Sequence, residues 1–356
     1  MTDDMKAIDL FCGVGGLTHG FFRKGIDVVA GIDNDGSCKY AYEKNNAATF
    51  VQKDIAEVKA SEIEELFDGA RIRILMGCAP CQPFSTLNRK RRTGRAQDKN
   101  WEPLERFASL IREVKPEIVS MENVKDLADT KKYPIFKRFL KALEDCDYYV
   151  SYRVVDAAGY GVPQRRRRLV LLASRLGPIS LLPETHGPEE FVTVRDKISS
   201  LARIAEGQTS SKDALHRASK LSALNKKRII ATPKNGGSAT SWPAHLLPDC
   251  YKESSGDSYK VTVYGRMRWD TPSPTITTHC TTLGTGRYGH PTQNRAISLR
   301  EAALLQSFPK GYDFGIKGHV SATKIARHIG NAVPVGLGEI IAATIKAHAS
   351  KFSVLD

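Results

Sequence analysis

Ala7-Ile8-Asp9-Leu10-Phe11-Cys12-Gly13-Val14-Gly15-Gly16 is the stretch on which the fold turns. Its first half, Ala7–Phe11, is a short apolar run of the kind that forms a buried strand. Its second half is a glycine turn. Glycines there let the backbone turn tightly and approach a ligand closely. The spacing is G-x-G-G and stops short of the full G-x-G-x-x-G. Taken alone, it serves a structural turn as well as a binding loop.

The alternation continues outward from this stretch to about residue 175. Val28–Ile32, Ile72–Met76 and Ile118–Met121 read as further buried strands. Between them, stretches 37–45, 60–67, 104–114 and 134–144 carry helical spacing. This predicts an α/β fold with a parallel sheet covered on both faces. Val150–Val155 and Leu169–Ala173 are expected as a hairpin at the sheet edge, joined across GYGVPQ. After Arg175 the character changes. Residues 176–290 are rich in Gly, Pro, Ser and Thr, with broken periodicity. They predict a smaller, irregular domain with short strands around Tyr259–Tyr264. Helical patterns return at SLREAALLQSF from Ser298, at ATKIARHI, and over Val335–Ala349.

The 356 residues are 41% hydrophobic, enough for a substantial core, and carry a formal charge of +14. A polyanionic partner fits that charge, nucleic acid foremost. An ordinary basic protein fits it equally. The start, MTDDMKAIDLF, lacks the cationic and apolar regions of a signal peptide. No apolar run is long enough to span a membrane. A soluble, cytoplasmic protein with reduced thiols is expected. The seven cysteines are scattered. Cys78 and Cys81 form a C-x-x-C pair, but no second pair follows at zinc spacing, so no metal is expected. A redox pair is the open alternative.

The chemistry-bearing residues follow the strand ends, where ligands bind in open α/β sheets. Asp33 ends the second strand, the position whose carboxylate typically takes ribose hydroxyls, which suggests a nucleoside cofactor. After the strand at 72–76 comes Gly77-Cys78-Ala79-Pro80-Cys81-Gln82-Pro83-Phe84-Ser85. Two prolines restrict the backbone around a Cys–Gln pair. A thiol held there, beside a basic tract, is placed as a nucleophile. Cys146 and Cys250 read instead as small buried hydrophobes. Glu122-Asn123-Val124 follows the strand at 118–121. Burial disfavours the charged form of a carboxyl group, and one so placed suits a general acid. Capping of the next helix is the alternative. In Gln164-Arg165-Arg166-Arg167-Arg168, strand alternation points residues 164, 166 and 168 one way and 165 and 167 the other.

These segments, in this order, resemble the cytosine-5 DNA methyltransferase family over nearly the whole chain. DLFCGVGG is similar to its cofactor loop and PCQPFS to its nucleophile loop. ENV and QRRRR are similar to its glutamate and Q-x-R-x-R motifs. RAISLREAALLQSFP (295–309) and GNAVP (330–334) resemble the two closing motifs. PKNGGS, VYGRMRWDTPSPTIT and GRYGHP resemble the target-recognition region of bacterial members. Single tripeptides arise by chance, whereas six motifs in order do not. The chain departs from the pattern at Asp126, where glycine is frequent, and at Leu304, where arginine is common.

The resemblance implies a Rossmann-like sheet dependent on S-adenosylmethionine, with a catalytic domain at 1–175 and target recognition at 176–294. Residues 295–356 would return to the catalytic domain. Cys81 would add to carbon 6 of a flipped-out cytosine. Glu122 would engage ring nitrogen 3 and Arg168 the base oxygen, with Arg166 steadying the loop or a phosphate. Phe11 would pack on the adenine, and Gly13, Gly15 and Gly16 would admit the methionine part. Asp33 would hold the ribose, with Asn34 and Ile55 along the adenine pocket and Asp54 accepting from the adenine amino group. Pro80, Asn331 and Val333 would complete the pocket. Double-stranded DNA would meet Gln82, Ser85, Arg89, Arg91, Arg92, Gln164, Arg266 and Arg287, with Gly94 letting the basic loop bend. The product would be S-adenosylhomocysteine. The bacterial members imply a monomer beside a separately acting restriction endonuclease. Transfer RNA is the rival substrate, a catalytically silent DNA-binding protein the rival class, and a nicotinamide oxidoreductase a remote third.

Overall fold

The structure is a computed structural model that describes residues 5–80, 101–252 and 263–352. Cys81, Gln82, Ser85, Arg89, Arg91, Arg92 and Gly94 lie outside the described residues, as do positions 259–262 of the expected short strands. The chain forms two compact units. The first comprises residues 1–160, 167–184 and 333–356, the second 161–166 and 185–332.

The first unit is built on seven strands: β1 (Met5–Leu10), β2 (Asp27–Asp33), β3 (Thr49–Gln52), β4 (Ile72–Gly77), β5 (Ile118–Val124), β6 (Tyr149–Asp156) and β7 (Arg167–Ser174). Their order across the sheet is β3-β2-β1-β4-β5-β7-β6. The first five are parallel, and β7 pairs antiparallel with both β5 and β6. The edge hairpin is therefore as expected from the sequence. The winding reverses between β1 and β4, which opens a crevice at their carboxyl ends.

Alternation along the strands makes two apolar layers. On β7, Leu169, Leu171 and Ala173 face one core and Val170 and Leu172 the other. The first core is closed by helices α3 (Ala60–Leu66), α4 (Glu102–Val114) and α5 (Pro134–Glu144). Helix α4 starts with Glu102, Pro103 and Glu105 in its first turn, which complement the exposed N–H groups there. It buries a stripe of Leu104, Phe107, Leu110, Ile111 and Val114, and stops at Lys115 in the left-handed region (φ 48°). Helix α2 (Lys39–Asn45) joins β2 to β3.

The second core is closed by α1 (Gly16–Arg23) and the C-terminal helix Val335–Ala349. The two meet at glycines. A Cβ on Gly20 would approach Gly338 Cα at 2.7 Å and Glu339 N at 2.6 Å. Among the described residues one helical stretch, Ala322–Ala349, is apolar and long enough to cross a membrane by composition, and 67% of its most apolar window is buried inside the protein. It consists of two helices, Ala322–Asn331 and Val335–Ala349, divided before Pro334.

The second unit has little regular structure. Helices Val194–Ile198, Ala223–Ala231, Leu299–Leu305 and Ala322–Asn331 are joined by loops and isolated bridges such as Gln164↔Ser273 and Arg266↔Gly289. Buried polar groups do much of the cross-linking. Arg295 and Glu301, both essentially inaccessible, form a bidentate pair at 2.7 Å. Glu301 also accepts from Ser298 N–H, which caps the helix Leu299–Leu305. By sequence this unit carries 23 Lys and Arg against 11 Asp and Glu, and the first unit 30 against 28. Nearly all of the chain's +14 excess therefore belongs to the irregular unit.

Candidate active site

The loop after β1 is shaped by backbone conformations that L side chains resist. Phe11 (φ 61°), Gly13 (φ 50°) and Gly15 (φ 82°) are all left-handed. Gly15 is the N-cap of α1, so the loop leads into the helix N-terminus at the carboxyl edge of the sheet. Phe11 and Cys12 N–H both donate to Ile32 O, at 2.8 and 3.2 Å. This ties the loop to the end of β2. Asp33 completes the tie: its Oδ2 accepts from Gly13 N–H at 2.9 Å and its Oδ1 from Asp35 N–H at 2.8 Å. Each oxygen keeps a second lone pair for an outside donor.

That arrangement fits an adenosyl group. A Cβ on Gly13 would meet nothing within 4 Å, so the backbone there borders open space. The Phe11 ring is partly exposed and packs edge-on against Phe107, with centroids 6.5 Å apart. Asn34 is exposed beside Asp33. Asp54 is exposed, and its Oδ1 accepts from Ala56 N–H, which opens the turn that buries Ile55. Pro80 is exposed at the end of the described β4 loop. Val333 is buried in the second core of this unit with Leu17, Met76 and Leu337. Asn331 is exposed at the end of the helix Ala322–Asn331, in the other unit.

Asp9, inside β1, is buried and accepts from Thr18 Oγ1 at 2.7 Å. Loss of solvent pushes its carboxyl up to about 7, and the nearby Asp33 adds to the rise. Sequence reading passed over it. The signal was a carboxylate within the apolar run AIDLF.

The neighbouring strands bring the next groups together. Gly77 ends β4 in register with Leu10 and Met121, and Cys78 N–H donates to Leu10 O at 3.3 Å. Asn123 Nδ2 donates to Ala79 O at 3.3 Å, so the middle residue of ENV fastens the start of the loop that leads to Cys81. Glu122 is 2% exposed. Its Oε1 lies 3.0 Å from Arg168 Nε, and its Oε2 accepts from Cys78 Sγ–H at 2.9 Å. The helical turn that follows, Lys125–Ala128, has no side-chain cap, so the capping alternative for Glu122 does not apply. Cys78 was legible only as half of a C-x-x-C pair. Its link to Glu122 needed the β4–β5 register.

The arginine run alternates as the strand period requires. Gln164 and Arg166 are buried and Arg168 is nearly so, whereas Arg165 and Arg167 are exposed. Three of the expected DNA contacts are bonded within the second unit. Gln164 is wholly buried and bonds to Leu305 O, Gln306 Oε1 and Ile276 N–H. Arg266 is wholly buried and donates to Thr232 O, His290 O, Gln293 O, Ile229 O and Asn294 Oδ1. Desolvation lowers its guanidinium to about 10. Arg287 is half-buried and donates to Gly236 O and Arg266 O. Buried donors must be satisfied inside, and these side chains brace the irregular unit in place of regular ladders. Arg166 belongs with them. It is 3% exposed and donates to the carbonyls of Ile276, Gly330 and Ala332.

Comparison with known proteins shows the family. The family described as "C-5 cytosine-specific DNA methylase" matches residues 5–347. The Type II methylase M.HgiDII of Herpetosiphon aurantiacus is 50% identical over 339 residues, covering 95% of this chain and 94% of the relative. The Type II methyltransferase M1.BsuMI of Bacillus subtilis is 32% identical, covering 96% and 80%. A solved structure of a DNA modification methyltransferase encoded within an E. coli prophage superposes with a TM-score of 0.73 at 23% identity, over 97% of this chain and 99% of that one, which speaks for the fold.

Proposed function

This chain belongs to the C-5 cytosine-specific DNA methylase family, an S-adenosylmethionine-dependent family, and from that premise we propose how its residues carry out the transfer. The observation that carries the proposal is Glu122: a buried carboxylate at a strand's carboxyl end, held between the Arg168 guanidinium and the Cys78 thiol.

Carbon 5 of cytosine is a weak nucleophile. The Cys81 thiolate adds to carbon 6, which breaks the aromatic system and makes carbon 5 enamine-like. Glu122, in its protonated form, donates a hydrogen bond or its proton to ring nitrogen 3 and so offsets the negative charge that builds there during addition. Arg168 keeps that carboxylate in place and has further guanidinium donors for the base oxygen. S-adenosylmethionine, when bound, supplies an electrophilic methyl on a sulfonium sulfur and leaves as S-adenosylhomocysteine. A base, in our reading a water, then removes the carbon 5 proton, and the Cys81 sulfur departs with its electron pair. Asp33, Phe11, Asn34, Asp54 and Ile55 hold the adenosyl part, and Gly13, Gly15 and Gly16 admit the methionine part. Pro80 and Val333 close the pocket. No metal takes part in this scheme.

The target base leaves the duplex to react, at a cost of a few kcal/mol in stacking and pairing. We assign sequence readout to the irregular region 176–294, an assignment supported by the concentration of positive charge in the second unit. Gln82, Ser85, Arg89, Arg91 and Arg92 are proposed to contact DNA. The Type II relatives support a restriction-modification setting, and we assign the chain to it as a monomer in the cytoplasm beside a separate restriction endonuclease. They also favour DNA over transfer RNA as substrate.

Tritium transfer from labelled S-adenosylmethionine to mixed duplex DNA, with Cys81→Ser alongside, tests the scheme. Labelled cytosine is expected with the wild type and none with the variant. The wild type is also expected to trap covalently on DNA containing 5-fluorocytosine. Full labelling by Cys81→Ser would remove Cys81 as nucleophile.

A further inference from the structure

We infer that Cys78 is a positioning residue for this reaction: its thiol holds Oε2 of Glu122 while Arg168 Nε lies against Oε1. The inference rests on the reading of Glu122 given above. Glu122 is 2% exposed, so its carboxylate has little water to orient it. Arg168 Nε lies 3.0 Å from Oε1. A carboxylate held by one oxygen still turns about its last torsion, which is broad and roughly two-fold for Glu. Cys78 Sγ–H at 2.9 Å on Oε2 removes that freedom.

Cys78 can do this because its own backbone is fixed. Its N–H bonds to Leu10 O at the end of β1, and Ala79 beside it is fastened by Asn123. The thiol, one residue past the end of β4, therefore stands beside the carboxylate on the adjacent parallel strand β5, in a register that brings Gly77 opposite Met121. The donor's chemistry also suits the task. A thiol is a weak donor. It sets the carboxylate when no base is present, yet releases Oε2 at small cost when a ring nitrogen needs a proton or a hydrogen bond. Cys78 is itself only partly buried.

The test compares Cys78→Ala and Cys78→Ser in steady-state methyl transfer to duplex DNA, with Glu122→Gln as reference. Cys78→Ala is expected to lower kcat about 5- to 20-fold with KM for DNA and for the methyl donor within about twofold, because the loss falls on the transition state. Cys78→Ser, which restores a donor, is expected to recover kcat to within about threefold. Melting temperatures of both variants near the wild type exclude unfolding as the cause; Cys78→Ser alone carries the test if Cys78→Ala melts early. A wild-type kcat in Cys78→Ala, a loss confined to KM, or a Ser variant as slow as a folded Ala variant overturns the inference. If Glu122→Gln is inactive in those cases, the reading of Glu122 survives. A fully active Glu122→Gln overturns both.

Discussion

Arg168 on β7 and Glu122 on β5 are diagonal neighbours across an antiparallel pair: Arg168 lies opposite Val124, and its Nε reaches back two residues to Glu122 Oε1 at 3.0 Å. Diagonal partners of this length meet readily. The ion pair is largely buried, with side-chain exposures of 16% and 2%. Removing one partner of such a pair leaves an uncompensated charge, at a cost of about 3–5 kcal/mol. Arg168→Ala is therefore expected to lower both stability and kcat. Glu122→Gln is nearly isosteric and is expected to lower kcat by about 10²–10⁴-fold, the usual size of a lost general acid, with a smaller change in melting temperature. Calorimetry and methyl transfer on the two variants check the split. Equal melting losses with equal activity would show a structural pair only.

The glycine loop gives a second expectation. Asp33 holds Gly13 N–H and Asp35 N–H, one on each oxygen. Asp33→Ala releases the loop and removes the ribose acceptors together. Donor affinity, measured by calorimetric titration with S-adenosylhomocysteine, is expected to fall at least about tenfold, the loss of one charged hydrogen bond. Gly13→Ala meets no atom and is penalised only by its φ of 50°, about 1–2 kcal/mol. It should remain folded.

Gly20 gives the opposite contrast. A methyl group there would drive into the backbone of Gly338 and Glu339. Overpacking of this kind costs about 1–3 kcal/mol or more. Helix α1 starts at the glycine loop, so its displacement should also weaken donor binding. Removing Val335–Ala349 altogether uncovers Leu17, Phe21 and Ile74 and is expected to abolish binding. A truncated chain that binds S-adenosylhomocysteine as tightly as the intact one would refute the role of this helix pair.

The sheet was legible because its signals are local. Apolar runs such as IRILM and IVSM, and glycines directly after the first strand, declare a wound sheet without tertiary information. The Glu122–Arg168 pair was half legible. Both residues stood out, but their partnership depends on the antiparallel β5–β7 register. The internal bonding of Arg266 and Gln164 was not legible, because a lone Arg or Gln in an irregular, basic segment looks like a surface donor. Only the folded second unit reveals how many of its loop carbonyls those groups satisfy. Arg295 shows the same logic with a carboxylate, Glu301, supplied six residues later.

Asp9 ties pH to stability. Its carboxyl is moved from 3.8 to about 7, chiefly by burial, with Asp33 adding to the rise and the Thr18 hydrogen bond opposing it. A folded value above the unfolded one means that the native state binds more protons between about pH 4 and 7. The stabilisation from this group is thus complete below about pH 4 and is lost as pH rises through 7. Between pH 5 and 8 the loss amounts to roughly 2–3 kcal/mol by linkage. Asp9→Asn keeps an acceptor for Thr18 but does not titrate. Stability curves of the wild type and Asp9→Asn are therefore expected to diverge in the variant's favour as pH rises from 5 to 8, then run parallel. Urea titrations at several pH values measure this directly. Parallel curves throughout would mean that Asp9 ionises in the native protein as it does in water, with Thr18 and the loop N–H groups compensating its burial.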